Sequence, residues 1–485
     1  MYREEGEIEL IYTLDEALDM VGFGKFQALV LAYAGLGAMA EAMEVMILSF
    51  IGTSVKAEWG LSSAQESLIT TMVFAGMLIG AYLWGFISDN YGRRIGLLSV
   101  AVVTSIFAFV SSFSPNYISL VVFRMVAGIG LGGGPVYSSW YLEFVPVRNR
   151  GFWMVIFSTF WTLGTILEAL LAWVVIPRLG WRWLLALSSV PCLLALAFYF
   201  LTVESPRYLY LNDKIVDAHN VLKRMAEISS SQLPNGVLVS RQTSEQDAEI
   251  SPSEDQELLS VKERKLNIPI PGLSLLFTLL SPSLVKTTLL LWAVYFGNSF
   301  AYYGVVLLTS ELSNERSKCG AILLHSTDSS LYRTLFITSL AELPGLVLSA
   351  VLVDKIGRRI SMVLLYSFGF VFLLPLMVHQ HELITTSMLF GARMCIIGTY
   401  TVAGIYCPEL YPTSVRTTGV GVATAVGRVA GMICPLVAVG LVSGCHQMAA
   451  IGLLEVVIIM AGISVMLLPV ETRGRKLVDS VAANT

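Results

Sequence analysis

Apolar residues dominate this chain in long runs. Twelve stretches near 26–50, 67–88, 95–113, 117–139, 152–176, 183–203, 286–308, 333–353, 360–378, 383–406, 415–441 and 447–469 each supply the roughly 20 apolar residues that carry a helix across a bilayer. They fall into two groups of six. The pattern therefore predicts an all-α membrane protein with two six-helix bundles, over 25–203 and 286–469. A polar tail covers 1–24 and another 470–485. The connection 204–285 carries a stretch, 229–263, rich in Ser, Gln, Glu and Asp and poor in aromatic residues, which predicts a solvated, partly disordered linker. Within it, Asn212 to Glu227 has the spacing of a short amphipathic helix on the membrane face.

Composition agrees. Of 485 residues, 55% are hydrophobic and 14% charged, and the mean hydropathy is +0.71, more apolar side chain than a soluble core of this size hides. A net charge of -4 gives no basic excess for nucleic acid. Six scattered cysteines, with no CxxC pair, predict neither a zinc site nor a disulfide framework. The first 24 residues have no apolar core of a signal peptide, so insertion is expected to be directed by the first helix. Lys and Arg collect in one set of short loops (Arg93, Arg94, Arg148, Arg150, Lys355, Arg358, Arg359, Arg416), which puts both termini on the cytoplasmic side.

The two groups of helices also repeat one another in their loops. Gly85-Phe86-Ile87-Ser88-Asp89-Asn90-Tyr91-Gly92-Arg93-Arg94 is answered by Val351-Leu352-Val353-Asp354-Lys355-Ile356-Gly357-Arg358-Arg359, 265 positions on. Glu143, Pro146 and Arg150 are answered by Glu409, Pro412 and Arg416, and Glu204-Ser205-Pro206-Arg207 by Glu471-Thr472-Arg473-Gly474. Three motifs at nearly one offset imply bundles related by a pseudo-two-fold axis along the membrane normal, with a cavity between them.

These loops resemble the major facilitator superfamily across essentially the whole chain. Within it, Met39-Ala40-Glu41-Ala42-Met43-Glu44-Val45, Phe296-Gly297-Asn298-Ser299-Phe300-Ala301-Tyr302-Tyr303-Gly304 and Cys407-Pro408-Glu409-Leu410-Tyr411 are similar to one branch. That branch holds the plant organic cation/carnitine transporter-like proteins, including nicotinate and trigonelline carriers, the bacterial niacin permeases and the synaptic vesicle glycoproteins. Animal organic ion transporters of the related family carry a large glycosylated ectodomain after the first helix; here that loop is expected over only Gly52 to Glu66.

The resemblance implies alternating access without covalent chemistry, and a gating role for Asp89 with Arg93, Asp354 with Arg358, Glu143 with Arg150 and Glu409 with Arg416. Interfacial anchoring is the plainer reading of these charges. Inside the hydrocarbon lie Glu41, Glu44, Arg124, Glu168, Glu342, Arg393, Arg428 and Glu455, each costly unless it faces a partner or a cavity. Glu41 and Glu44, three apart on a helix that lines the cavity in this superfamily, are candidates to carry protons, because burial and a like charge favour the neutral acid. A permanent pairing with Arg is the alternative. Arg124 and Arg393 are placed to stabilise the bundles or couple protons; Glu168, Glu342 and Glu455 have no assignable role.

Arg428 is the candidate for the solute's charge. It sits in Gly427-Arg428-Val429-Ala430-Gly431, which resembles the stretch where animal organic anion transporters place Arg and cation transporters Asp. A guanidinium binds a carboxylate through two parallel hydrogen bonds and keeps its proton. A salt bridge to Glu41, Glu44 or Glu342 is the competing reading. Trp161, Phe296, Tyr302 and Tyr303, with Asn298, are candidates for the rest of the pocket, since aromatic faces suit both a pyridine ring and a quaternary nitrogen.

The run Gly128-Ile129-Gly130-Leu131-Gly132-Gly133-Gly134 follows no strand and belongs to helix packing rather than to dinucleotide binding. No Walker lysine pattern occurs, so no cofactor is expected and a proton gradient is the expected energy source. The sequence thus favours a monomeric, proton-coupled symporter of nicotinate or its N-methyl zwitterion trigonelline. An organic cation or carnitine transporter, with Glu41 holding the quaternary nitrogen, is the alternative, and a non-transporting membrane receptor a third. The plasma membrane is the expected site; Glu254-Asp255-Gln256-Glu257-Leu258-Leu259 resembles an acidic dileucine signal that permits a vacuolar one.

Overall fold

The computed structural model describes residues 11–146, 150–234, 236–238, 279–315, 328–378, 380–411, 416–443 and 447–472. Side chains of Ile11, Arg150, Gly151, 310–315, 328–332, Asp354, 416–418, 438–440 and 442–443 lie outside the description.

Among the described residues twelve helices are long and apolar enough to cross a membrane: Lys25–Trp59, Ser63–Tyr91, Arg93–Ser111, Tyr117–Leu142, Phe152–Leu179, Trp181–Leu201, Val285–Thr309, Arg333–Val353, Arg358–Met377, Glu382–Leu410, Gly419–Val437 and Gln447–Leu467. They are numbered here as spans one to twelve. The first and seventh are the most enclosed, with 83% and 72% of their apolar windows buried against 61% or less elsewhere. Those two therefore lie innermost, and the others leave a larger share of their apolar surface uncovered by protein.

Helix pairing repeats between the halves. Span one packs on five, two on four and three on four and six; span seven packs on eleven, eight on ten and nine on ten and twelve. The halves meet where span two lies on eleven and span five on eight, contacts that the same two-fold relation exchanges.

The second and fourth spans approach so closely that side chains are excluded. A Cβ on Gly80 would overlap the Ile129 carbonyl, one on Gly76 the Met125 carbonyl, and one on Gly128 the Val73 carbonyl. This accounts for the glycine run in the fourth span as a packing feature.

Two local features depart from the sequence reading. The first span does not end near residue 50: after Ile47 it continues as Leu48–Trp59, burying Leu48, Phe50, Ile51 and Val55, and stops at Gly60 in the left-handed region (φ 65). Lys56 Nζ meets Glu66 at 2.7 Å, which brings the start of the second span close. The N-terminal tail is also structured from residue 11 on. Thr13 caps the helix Leu14–Val21, with Glu16 closing a capping box, and Ile11–Tyr12 pairs in parallel with Val237–Leu238. The linker helix forms as Ile215–Ser229. Its buried face, Ala218, Leu222, Met225 and Ala226, packs in one cluster with Tyr12, Leu14, Leu18 and Phe26 of the chain's beginning. Protein rather than lipid covers that face.

Because the Ile129 carbonyl cannot move without breaking its own helix, Gly80→Ala should cost about 1–3 kcal/mol. A lower thermal midpoint in detergent, with Gly85→Ala, where a Cβ meets nothing within 4 Å, as the neutral control, is the expected result.

Candidate functional site

The motif loops share one end of the molecule, where backbone donors decide the arrangement. Gly92 (φ 111) and Gly357 (φ 92) adopt a conformation that an L side chain rarely tolerates. Each starts a helix whose first N–H groups lack intrahelical acceptors. Glu204 and Glu471, from the ends of the sixth and twelfth spans, supply them. Glu204 Oε1 accepts from Arg93 N at 2.8 Å, and Glu471 Oε1 from Arg358 N at 2.8 Å, with Arg359 N at 2.9 Å on its Oε2. A carboxylate there is also favoured by the helix dipole.

Around these caps the arginines gather the other acids. Arg93 pairs with Asp89 and, through Nε at 3.0 Å, with Glu143. Arg358 grips Glu409 in a fork, Nε at 3.1 Å and Nη2 at 3.0 Å. Burial pushes the Glu143 carboxyl up from its ordinary value, and the Arg93 charge opposes the shift. The expected side chains Asp354, Arg150 and Arg416 lie outside the described residues.

Deeper in the membrane, three acid–arginine pairs form. Glu44 Oε2 accepts from Arg124 at 2.6 Å and Glu342 Oε1 from Arg393 at 2.7 Å, each pair buried within one half. The third joins the halves: Arg428 Nη2 donates to Glu41 Oε1 at 3.1 Å. These two side chains keep 12% and 10% exposure, whereas the Glu44–Arg124 pair has none, so of the three the cross-half pair is the least tightly enclosed by protein.

Glu41 and Glu44 thus serve different partners. Three residues turn a helix through about 300°, which leaves about 60° between the side chains, enough to send one across the interface and the other into its own bundle. Gly134 makes room for Glu41, since a Cβ there would strike its carboxylate.

Beside this pair, Arg428 Nη1 reaches the Tyr303 hydroxyl at 3.4 Å. Tyr303, Tyr302 and Trp161 line one small cavity with Phe74, Met46, Thr70 and Thr165, of about 20 Å³, room for about one water molecule. Tyr302 and Tyr303 meet edge to face at 5.3 Å, and Phe74 meets Tyr303 at 4.5 Å. Phe74, absent from the sequence reading, enters over Gly431, where a Cβ would sit 2.9 Å from its ring.

Asn298 and Phe296 are not among the residues lining it. The Asn298 oxygen accepts from Tyr366 at 2.5 Å and Thr399 at 2.9 Å, binding the seventh span to the ninth and tenth. Phe296 stacks on Phe300 at 5.9 Å. Glu342, to which the sequence assigns no role, accepts from Arg393, from Tyr302 at 2.9 Å and from Thr165 of the other half at 3.1 Å.

Further polar contacts between the halves among the described residues include Ser67 to the Pro435 carbonyl at 3.1 Å, Thr71 to the Met432 carbonyl at 3.0 Å, Arg393 Nη2 to the Met46 sulfur at 3.7 Å and Arg428 Nη1 to the Met77 sulfur at 3.8 Å. Along the eleventh span, Arg428 lies nearer the motif loop than Met432 and Pro435 do.

A buried pair that loses one partner leaves an uncompensated charge, which costs about 3–5 kcal/mol. Arg124→Met should therefore lower the thermal midpoint steeply, while Arg124→Met with Glu44→Gln recovers most of the loss.

Comparison with known proteins gives consistent matches. The family profile described as sugar (and other) transporter matches residues 30–481. The chain is 55% identical to an organic cation/carnitine transporter 7 of Arabidopsis thaliana, covering 98% of this chain and 97% of that protein. It is 36% identical to a synaptic vesicle 2-related protein of Xenopus laevis, over 97% and 83% of the two chains. Among solved structures, the xylose transporter XylE from E. coli in an inward-open conformation superposes with a TM-score of 0.67, at 16% identity over 93% of this chain and 98% of that one. At that identity the likeness shows the fold alone.

Proposed function

Because the chain belongs to the sugar (and other) transporter family of the major facilitator superfamily, a family of membrane transporters and not of enzymes, we propose that it is a proton-coupled, alternating-access carrier of nicotinate, its N-methyl zwitterion trigonelline, or both. The observation that carries this reading is the Arg428–Glu41 pair, part-exposed, shared between the halves and adjacent to an aromatic cavity.

A guanidinium held by one carboxylate accepts another in exchange. A solute carboxylate takes Glu41's place on Arg428, and its ring enters between Tyr303, Tyr302 and Trp161 as these side chains part to widen the cavity. A proton on Glu41 neutralises the displaced acid, since an unpaired carboxylate in the membrane interior is expensive. Solute and proton therefore travel together. Exchange of partners also loosens the bond that holds the halves at mid-membrane, which lets them rock about the fixed site. Asp89, Arg93, Arg358, Glu143 and Glu409 serve as gating contacts in this cycle. The placement of Lys and Arg supports a cytoplasmic position for the motif loops and both termini.

The likeness to an organic cation/carnitine transporter supports a second reading, in which a quaternary nitrogen lies against the same rings and Glu41 is its counter-charge. The two readings differ in which member of the ion pair meets the solute.

Radiolabelled nicotinate uptake separates them. Arg428→Ala removes the charge and Arg428→Lys the bidentate fork; both are expected to lower uptake by at least roughly ten-fold, in keeping with the loss of a hydrogen bond to a charged group. An uncoupler should abolish accumulation in the unsubstituted protein. Undiminished uptake by both variants would overturn the assignment, and carnitine uptake lost in Glu41→Gln but kept in Arg428→Lys would establish the second reading.

A further inference from the structure

The seal between the halves contains hydroxyl groups with two acceptors each. Thr165 of the fifth span stands 3.1 Å from Glu342 Oε2 in the other half and 2.9 Å from the carbonyl of Thr162 in its own helix. Ser67 of the second span stands 3.1 Å from the Pro435 carbonyl in the other half and 3.0 Å from its own Ser63 carbonyl. A hydroxyl has one hydrogen to give. Each therefore has one acceptor across the interface and one to fall back on.

Glu342 is insured on one oxygen. With Thr165 gone, its Oε1 keeps Arg393 Nε at 3.0 Å, Arg393 Nη2 at 2.7 Å and the Tyr302 hydroxyl at 2.9 Å, while Oε2 gives up its bond from Thr165. When the halves part, the hydroxyl keeps a partner and the acid keeps its arginine. A direct ion pair at the same place would leave two uncompensated charges, at a much larger cost. Charge makes Glu342 the stronger of Thr165's acceptors while the halves touch, so the contact holds without locking.

Tyr302 and Thr165 both line the aromatic cavity, and both donate to Glu342, which is fully buried behind them. We propose that Glu342 is a positioning residue of the transport cycle: it fixes the Tyr302 hydroxyl beside the cavity and receives the Thr165 hydroxyl across the interface, so that movement of the cavity wall is felt at the seal. Thr165 hands its hydrogen back to Thr162 as that end opens. Ser67 repeats the device on the partner contact related by the two-fold axis.

The inference uses alternating access but not the identity of the cargo, so its test needs no solute and stands apart from the nicotinate assay. Backbone hydrogen exchange is followed by mass spectrometry on the full chain in lipid nanodiscs, in the stretches 63–77 and 428–437, whose exposure requires that end to open. Thr165→Val, which keeps the shape but removes the hydrogen, is expected to speed exchange there on the order of ten-fold, the effect of one hydrogen bond to a charged group. Thr165→Ser, which keeps the hydroxyl, is expected to exchange at the unsubstituted rate. Glu342→Gln with Thr165→Val should add little to the larger single effect, because the two act through one contact. Should Glu342→Gln fail to fold, the Thr165 pair decides alone. Exchange unchanged in Thr165→Val, or as fast in Thr165→Ser as in Thr165→Val, would overturn the proposal.

Discussion

One ion pair sets the terms for this molecule: Arg428 of the eleventh span on Glu41 of the first. A charge inside a bilayer must face a partner or water, and the chain satisfies that rule three times with arginine and glutamate. Two of the pairs, Glu44–Arg124 and Glu342–Arg393, are enclosed within a half and need never break. The third lies between the halves. Any motion that separates them at mid-membrane must give both of its members a new partner. The proposed solute carboxylate and proton are the pair of replacements that balances this exchange.

The rest of the architecture ties each half together. Glycine-lined contact between spans two and four removes the side-chain layer that would let them slide. Glu204 and Glu471 reach back from the end of each half to cap its third helix, and Arg93 and Arg358 tie those caps to Glu143 and Glu409. The N-terminal helix and the linker helix add apolar contact at the same end in the first half. At the surface the halves share, hydroxyl and carbonyl contacts accompany the one direct ion pair among the described residues.

Much of this was legible in the sequence because it rests on one-dimensional properties. Hydrophobic length marks the twelve spans, and repeated loop motifs mark the two-fold relation of the halves. The capping box of the N-terminal helix was also written in Thr13-Leu14-Asp15-Glu16, although a short polar stretch read as a tail. Partner choice inside the membrane was less accessible. Spacing places Glu41 and Glu44 on one face of the first span, yet they meet different arginines, because which one each reaches depends on the rotation of that span within its bundle. The same uncertainty hides Phe74, which is aromatic and unremarkable in sequence until Gly431 opens a space for it. It also separates Tyr302 and Tyr303, which line the cavity, from Asn298, whose acceptor is taken by Tyr366 and Thr399.

The central claim is that solute and Glu41 compete for one guanidinium. Isothermal titration of nicotinate into purified Glu41→Gln, repeated across pH, tests this most directly, because the amide imitates the protonated acid and cannot compete as an anion. The account predicts binding tighter than in the unsubstituted protein near neutral pH, with the pH dependence flattened. Binding that is weaker, or equal and still pH-dependent, would contradict it.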